Sequence, residues 1–497
     1  MIELSQVLEY AILAIYCITL TLIVVYSLGQ LHLLITFVRN RKKIKQEPPL
    51  TGDDVPFVTV QLPIYNELYV LERLLDSMEA MNYPRDRFEV QLLDDSDDET
   101  AEVAARKVAE LKAKGLQIEH IRRPERTGFK AGALAYGLNL AKGDFIAIFD
   151  ADFLPRPSYL RAAMANFNDK NIGVVQARWE HINQSYSLFT EAQAFHLDAH
   201  FTIEQFGRDI GGFYLNFNGT AGVWRKETII DAGGWEADTL TEDLDLSYRA
   251  QLKGWKFKYI DEIGAPAELP AEMGAIKSQQ YRWMKGGAEV ARKLLKSLWR
   301  SELPLLRKFH GTIHLLSSSV FLLVLLLGLT SVPLLYIKHE IFGGNIDFLI
   351  VPVLALFLSF LILASLYLIT FRWRDGNMRA ALKRFGIHFI PFLSLSMGLS
   401  LHNSVAVIQG FRGKKTPFIR TPKFNLKNRA DKWNHVKYKS RKVKPGVYAE
   451  LLMALYFGLG CFLSFYFKDF SVLPFFLMQF FGFGAVGIFS FRHALMR

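Results

Sequence analysis

Apolar residues are unevenly spread along this chain. Residues 8–37 form an apolar run longer than the roughly 20 residues needed to cross a bilayer, and further runs lie at 312–337, 348–371, 447–467 and 470–491. Between the first run and the second, residues 40–310 carry the charges and turn signals of an ordinary globular domain. The stretch 386–410 is apolar but interrupted by His388, Pro391, His402, Asn403 and several serines, with basic residues on both sides. It is expected to lie in the interface or to re-enter rather than cross. The pattern therefore predicts five spans plus one in-plane segment, with a short loop containing Gly343-Gly344-Asn345 between the second and third spans.

Inside the globular stretch the period changes. Phe57–Ile64 and Val90–Leu93 are β-rich apolar runs, each followed by a polar turn and a helical stretch around Leu68–Met81 and Thr100–Lys114. Ile118–Ile121, a helix over 130–141 and a strand at Phe145–Phe149 continue the alternation. This order predicts a parallel α/β sheet, in which ligands collect at the carboxyl ends of the strands.

Charge refines the topology. The formal net charge is +11, with basic residues concentrated at Arg39–Lys45, Arg292–Lys308, Arg372–Arg384 and Arg412–Lys444, beside the apolar runs. Such an excess marks the cytoplasmic flanks of membrane spans, which explains the charge better than nucleic-acid binding does. The first run has its basic cluster after it rather than before it, so it reads as an anchor with the following domain cytoplasmic, not as a cleaved leader. Cys17 and Cys461 both lie in apolar runs, which leaves no disulfide framework and no cysteine metal site. That suits a reducing compartment.

Three strand ends gather acids. The first ends in Pro63-Ile64-Tyr65-Asn66-Glu67, the second in Asp94-Asp95-Ser96-Asp97-Asp98, and the strand at 145–149 in Asp150-Ala151-Asp152. Carboxylates collected at one sheet edge repel unless a cation joins them, and a hard divalent ion such as Mg²⁺ or Mn²⁺ bridges phosphates to one or two carboxylates. Asp97 and Asp98 are read as helix caps, Asp150 and Asp152 as metal ligands. Arg126-Thr127-Gly128-Phe129-Lys130 opens a helix, where glycine permits close approach and basic groups can meet phosphate. Thr241-Glu242-Asp243 begins another helix. An acceptor hydroxyl in an in-line displacement needs a general base; Asp243 is the candidate and Glu242 the alternative. Gln279-Gln280-Tyr281-Arg282-Trp283 follows, where Arg282 can offset charge on a leaving diphosphate and Trp283 can carry a sugar ring or anchor at the interface.

The order Asp95, Asp150-x-Asp152, Thr241-Glu242-Asp243 and Gln279-x-x-Arg282-Trp283 resembles the processive family-2 glycosyltransferases, such as cellulose, hyaluronan and chitin synthases. The strings RTGFKAGAL (126–134), FNGTAGVWR (217–225) and AGGW (232–235) are most similar to mannan and glucomannan synthase-like proteins and their bacterial relatives. The resemblance implies an inverting α/β GT-A (Rossmann-like) cytoplasmic domain set in an α-helical transmembrane region of five to six spans. It also implies a nucleoside diphosphate sugar donor, UDP-glucose or GDP-mannose, and a β-linked product. On that basis Pro63, Tyr65, Glu67, Asp94, Asp95, Lys130 and Asp150 bind the donor, and Asp150 and Asp152 hold the divalent metal. Gln279, Arg282 and Trp283 frame acceptor and diphosphate. Phe418-Ile419-Arg420-Thr421-Pro422-Lys423 is similar to the gating loop of cellulose synthase, with Arg420 where that pattern has valine; the competing reading is a basic loop drawn to anionic lipid.

These readings divide the chain into an anchor (1–40), a GT-A domain (41–268) and interfacial helices (269–310). A transmembrane hairpin (311–372), an interfacial segment with the gating-like loop (373–446) and a second hairpin (447–497) follow. The expected protein is an integral membrane hexosyltransferase, placed in the plasma (inner) membrane, with a glycan or lipid acceptor. It elongates a β-glycan, with export as an option, or glycosylates a lipid without processivity. A scaffold or transporter that has lost catalysis is the reading from another class, and the complete set of acids argues against it.

Overall fold

The computed structural model of the chain describes residues 4–43, 47–341, 350–431 and 445–495. The Gly343-Gly344-Asn345 loop and residues 432–444 of the basic segment lie outside them. Seven strands, β1 (Val58–Ile64), β2 (Phe88–Asp94), β3 (Ile118–Ile121), β4 (Phe145–Ile148), β5 (Ile172–His181), β6 (Gly222–Arg225) and β7 (Lys256–Ala267), form one sheet. Its order is β3-β2-β1-β4-β6-β5-β7.

The sheet is mixed, not parallel throughout. β6 runs antiparallel to both β4 and β5, while the other pairs are parallel. The chain reaches β6 through a tight reversal in which Gly219 has φ 79° and Ala221 φ 53°, a region open to glycine and costly for most residues. β6 therefore enters the sheet from the edge where β4 ends, and its leading residues 218–221 join the site. Four residues, three of them buried, carry no sign of strand direction, so the alternation of strands and helices could not anticipate this.

Both sheet faces are covered. Val58, Val60 and Leu62 pack with Leu71, Leu74, Leu75 and Met78 of the helix Leu71–Glu79 on one side, where each fully buried Leu or Val contributes about 1.5–3 kcal/mol relative to exposure. On the other side Ile146, Ile148, Val174 and Trp224 join a cluster that includes Leu34 and Phe37 of the helix Leu4–Asn40. The same cluster takes in Tyr367 and Phe371 of the helix Ile350–Arg374. One core thus passes from the sheet into the apolar helices. A charged node reinforces the join. Buried Asp198 pairs with Arg374 at the end of that helix and, at 3.6 Å, with Arg178 of β5, which also pairs with Asp261.

Among the described residues, five helices are long and apolar enough to cross a membrane, and a sixth crossing results if one bent pair counts as a single span. That pair, Met378–Gly398 and Ser400–Phe411, bends by 50° and covers the segment read as in-plane; its geometry admits both a broken span and a re-entrant segment. Just before the bend Gly398 packs backbone to backbone on Gly482, where a Cβ would stand 2.2 Å from the Gly482 carbonyl oxygen.

Candidate active site

A cleft of about 190 Å³ opens at the carboxyl ends of β1 and β4. At the end of β1, Asn66 turns with φ 56°. Its amide donates to Asp97 (2.7 Å) and its carbonyl oxygen accepts from the Asp97 backbone N–H (3.1 Å), tying two strand-end loops together. Asp97 is thus a brace, whereas Asp98 caps the helix Thr100–Ala113 through the Thr100 N–H at 2.9 Å, as expected. Pro63 and Tyr65 line the cleft, and the Arg126 guanidinium lies 3.3 Å from the centre of the Tyr65 ring, a cation–π arrangement. Glu67 lines it too, 2.8 Å from Arg420; burial pushes its carboxyl up to about 7 although Arg420 opposes this.

The last acid of β2 and the acid that follows it part company. Asp95 faces the cleft and is held by both arms of Arg123, at 2.7 and 2.6 Å. Asp94, expected to contact the donor beside it, instead points inward to His120 (2.8 Å) and the Ser96 N–H (2.8 Å), with no side-chain exposure. Side chains alternate along a strand, so neighbours cannot both face the cleft.

After β4, Asp150 accepts from Lys130 at 2.5 Å and Asp152 from Lys423 at 2.6 Å. Lys130 also donates to the Gly219 carbonyl at 2.9 Å. Its burial favours the neutral amine, but Asp150 and then Glu242 overcome this and hold its pKa above the usual lysine value. Glu242 and Asp243 start the helix Glu242–Leu252 and line the cleft. Burial first, and the Glu242 charge second, push the Asp243 carboxyl up to about 7; burial also raises Glu242. A Cβ on Gly219 would lie 2.9 Å from Asp243 Oδ2, so only glycine lets this turn pass the acid.

The helix Met273–Arg300 brings Gln279, Arg282 and Trp283 to the cleft. Arg282 donates to Thr421 at 2.8 Å and lies 4.8 Å from the Phe418 ring centre; burial lowers its pKa against the pull of Asp150 and Glu242. Phe418 stacks on Phe129 at 5.6 Å. The extended segment 414–427 is thus closed over the cleft, with Arg420, Thr421 and Lys423 all inside it. Its anchor is buried Glu268, whose side chain accepts from the Phe424 N–H (2.8 Å) and pairs with Arg73 (3.0 Å), while its carbonyl accepts from Lys423 (3.0 Å).

Sequence reasoning did not anticipate Glu268, nor the cleft-lining Trp179, His181 and Asn218. Glu268 follows β7 directly, the same strand-end signal that singled out Asp150, but β7 itself went unrecognised. A second acidic group, Glu236, Asp238 and Asp245, has the spacing of a cation site; Lys293 fills it, at 2.6, 2.9 and 3.0 Å from the three carboxylates.

Trp179, Leu197, Asn218, Thr241, Asp243 and Trp283 also line a second cavity of about 890 Å³, which runs between the apolar helices as far as Ser471 and Pro474. Asp243 therefore stands on the wall between the two spaces.

Residues 56–286 match the family described as glycosyltransferase like family 2. Over 284 residues the chain is 40% identical to probable glucomannan 4-beta-mannosyltransferase 7 of Oryza sativa subsp. japonica, covering 55% of this chain and 48% of that protein. Over 274 residues it is 39% identical to glucomannan 4-beta-mannosyltransferase 2 of Arabidopsis thaliana, covering 52% and 51%. The chain spans about half the length of these relatives. Among solved structures, mannosyltransferase PcManGT from Pyrobaculum calidifontis, in complex with GDP-Man and Mn²⁺, aligns with a TM-score of 0.51 at 20% identity, covering 80% of this chain and 100% of that one. This last likeness bears on the fold alone.

Proposed function

We propose that this chain, whose residues 56–286 form a family-2-type glycosyltransferase domain of GT-A architecture, transfers a hexose with inversion from a nucleoside diphosphate sugar to an acceptor hydroxyl at the membrane surface. The observation that carries the reading is the position of Asp243, half-buried on the wall between the cleft and the second cavity with its carboxyl pushed up to about 7. A base that titrates near neutrality suits proton removal. The acceptor oxygen attacks the anomeric carbon, the bond from that carbon to the diphosphate oxygen breaks, the hydroxyl proton passes to Asp243, and the nucleoside diphosphate departs. Pro63, Tyr65, Glu67 and Asp95 surround the nucleoside. Lys130 and Arg282 balance charge on the diphosphate, and Gln279 and Trp283 hold the acceptor. Closure of Phe418, Thr421 and Lys423 over the donor excludes water.

Asp150 and Asp152 fit a divalent cation. They are hard oxygen donors aimed into the cleft, and each already faces a lysine ammonium. They would hold Mg²⁺ or Mn²⁺, which supplies charge neutralisation for the departing diphosphate. GDP-mannose is the preferred donor over UDP-glucose, supported by the mannosyltransferase names of the plant relatives. Inversion makes the new glycosidic linkage β, and the basic flanks of the spans favour a cytoplasmic catalytic domain in the plasma (inner) membrane. The test is incubation of purified protein with labelled GDP-mannose or UDP-glucose, with Mn²⁺ or with EDTA. Metal-dependent transfer that disappears in Asp243→Asn is expected; turnover of neither donor, or near-normal transfer by the variant, overturns the reading.

A further inference from the structure

The second cavity has two chemically different halves. At the end shared with the cleft its walls carry His200, Glu204, Asn216, Asn218, Gln280 and Trp283. Five polar atoms there, Gln30 Oε1, Trp179 Nε1, Asn216 Oδ1, Thr241 Oγ1 and Ser318 Oγ, have no hydrogen-bond partner among the described residues, although Gln30 is 4% and Ser318 2% exposed. Buried polar atoms are normally satisfied, so this end is built to receive hydroxyl or amide groups from outside the chain. Farther along, Val324, Leu327, Phe357, Phe360, Leu363 and Met478 form the walls. Ser359 Oγ, also without a partner among the described residues, stands among them, so a polyhydroxylated chain drawn past would give up its water for few partners. An alkyl chain would gain by leaving water. The total of about 890 Å³ is within the range of about 300–1,000 Å³ typical of pockets that bury most of a ligand.

We infer that this cavity seats an amphiphilic acceptor: a lipid whose hydroxylated head, a sugar or polyol, lies at the polar end beside Asp243 while a single apolar chain extends between the helices Val320–Tyr336 and Ile350–Arg374. The use made of that seat rests on the glycosyl-transfer reading above. The head-group hydroxyl would attack the anomeric carbon of the donor, lose its proton to Asp243 and release the nucleoside diphosphate. The product would be a lipid bearing one more sugar.

Two arms separate the seat from the chemistry. In the first, the full-length Asp243→Asn protein in phosphatidylcholine nanodiscs is labelled with dodecyl β-mannoside carrying a diazirine at the end of its alkyl chain. Crosslinks concentrated in residues 320–336 and 350–374 are expected, displaced by excess dodecyl β-mannoside and not by methyl β-mannoside. Val324→Trp, which fills the apolar half, should cut labelling at least fivefold. Leu361→Trp, on an exposed position of the same bundle that does not line the cavity, should not. Labelling spread evenly over the lipid-facing helices, or insensitive to dodecyl β-mannoside, overturns the inference. In the second arm, wild-type protein receives labelled GDP-mannose or UDP-glucose with ethyl or dodecyl β-mannoside. A KM at least tenfold lower for the dodecyl acceptor supports the seat. Equal KM values with a growing water-soluble polymer identify the cavity as a glycan conduit instead and overturn the inference. Specific labelling without transfer from either donor would leave the seat standing and refute the transfer reading.

Discussion

Two carboxylate clusters meet on the helix Glu242–Leu252, and each is neutralised by lysine. Around Asp245, the acids Glu236, Asp238 and Asp245 hold Lys293, which projects from the helix Met273–Arg300. Arg249, four residues after Asp245, adds a second cation at 2.8 Å. Around Asp243, the acids Asp150 and Asp152 face Lys130 and Lys423, and Lys423 comes from an extended segment with no helix or strand of its own. The first cluster has the tighter oxygen spacing, yet its cations are fixed by packed helices. The second has a cation that can leave. Oxygen spacing alone therefore picks out the cluster that lysine and arginine already fill; under the proposed function, a countercharge on a segment without regular structure beside a cleft is the better sign.

The comparison can be broken experimentally at several points. We expect the largest effect from Asp243→Asn, a loss of about 10³-fold in transfer, within the range given for a general base, with metal-dependent donor binding retained in a titration. Lys293→Met should leave metal dependence unchanged but cost about 2 kcal/mol of folding stability, because it leaves the fully buried Asp245 with Arg249 as its one cation; urea unfolding would show it. The pH profile of kcat/KM should carry an acid limb near pH 7, falling about tenfold per unit below it, since Asp243 works only as the carboxylate. The sign for stability is opposite. An unfolded Asp titrates near about 3.9, so the folded state holds the extra proton between there and about 7, and stability from this group falls as pH rises through that window. The smallest effect is expected from Lys423→Ala, a fall of about threefold in the Mn²⁺ concentration for half-maximal binding, as judged from the modest strength of one partly screened lysine–carboxylate pair. An unchanged value would mean that Lys423 and the ion do not compete.

Much of this was legible in the sequence where the signal is local. β1 to β4 and the five long apolar helices show in the period of their own residues, and Asp150, Asp152, Asp243, Gln279, Arg282 and Trp283 all reach one cleft. What stayed hidden depends on partners far away in the chain. Lys423 meets Asp152 across 271 residues, and no periodicity records that. The antiparallel course of β6 is decided by a reversal at Gly219–Ala221 rather than by its own four residues. Asp94 and Asp95 are chemically identical neighbours, and only the direction of the chain at the strand end distinguishes the one that faces the cleft.

The node at Asp198 has a mechanical consequence. It clamps an arginine of β5 and an arginine at the foot of a membrane helix to one buried carboxylate. Separating them would strand that charge, at a cost of about 3–5 kcal/mol. The sheet and the helical wall therefore act as a ruler of fixed length, with Asp243 as its zero mark. In a thinner bilayer the whole assembly would tilt, while the separation between the base and the helical wall would stay the same.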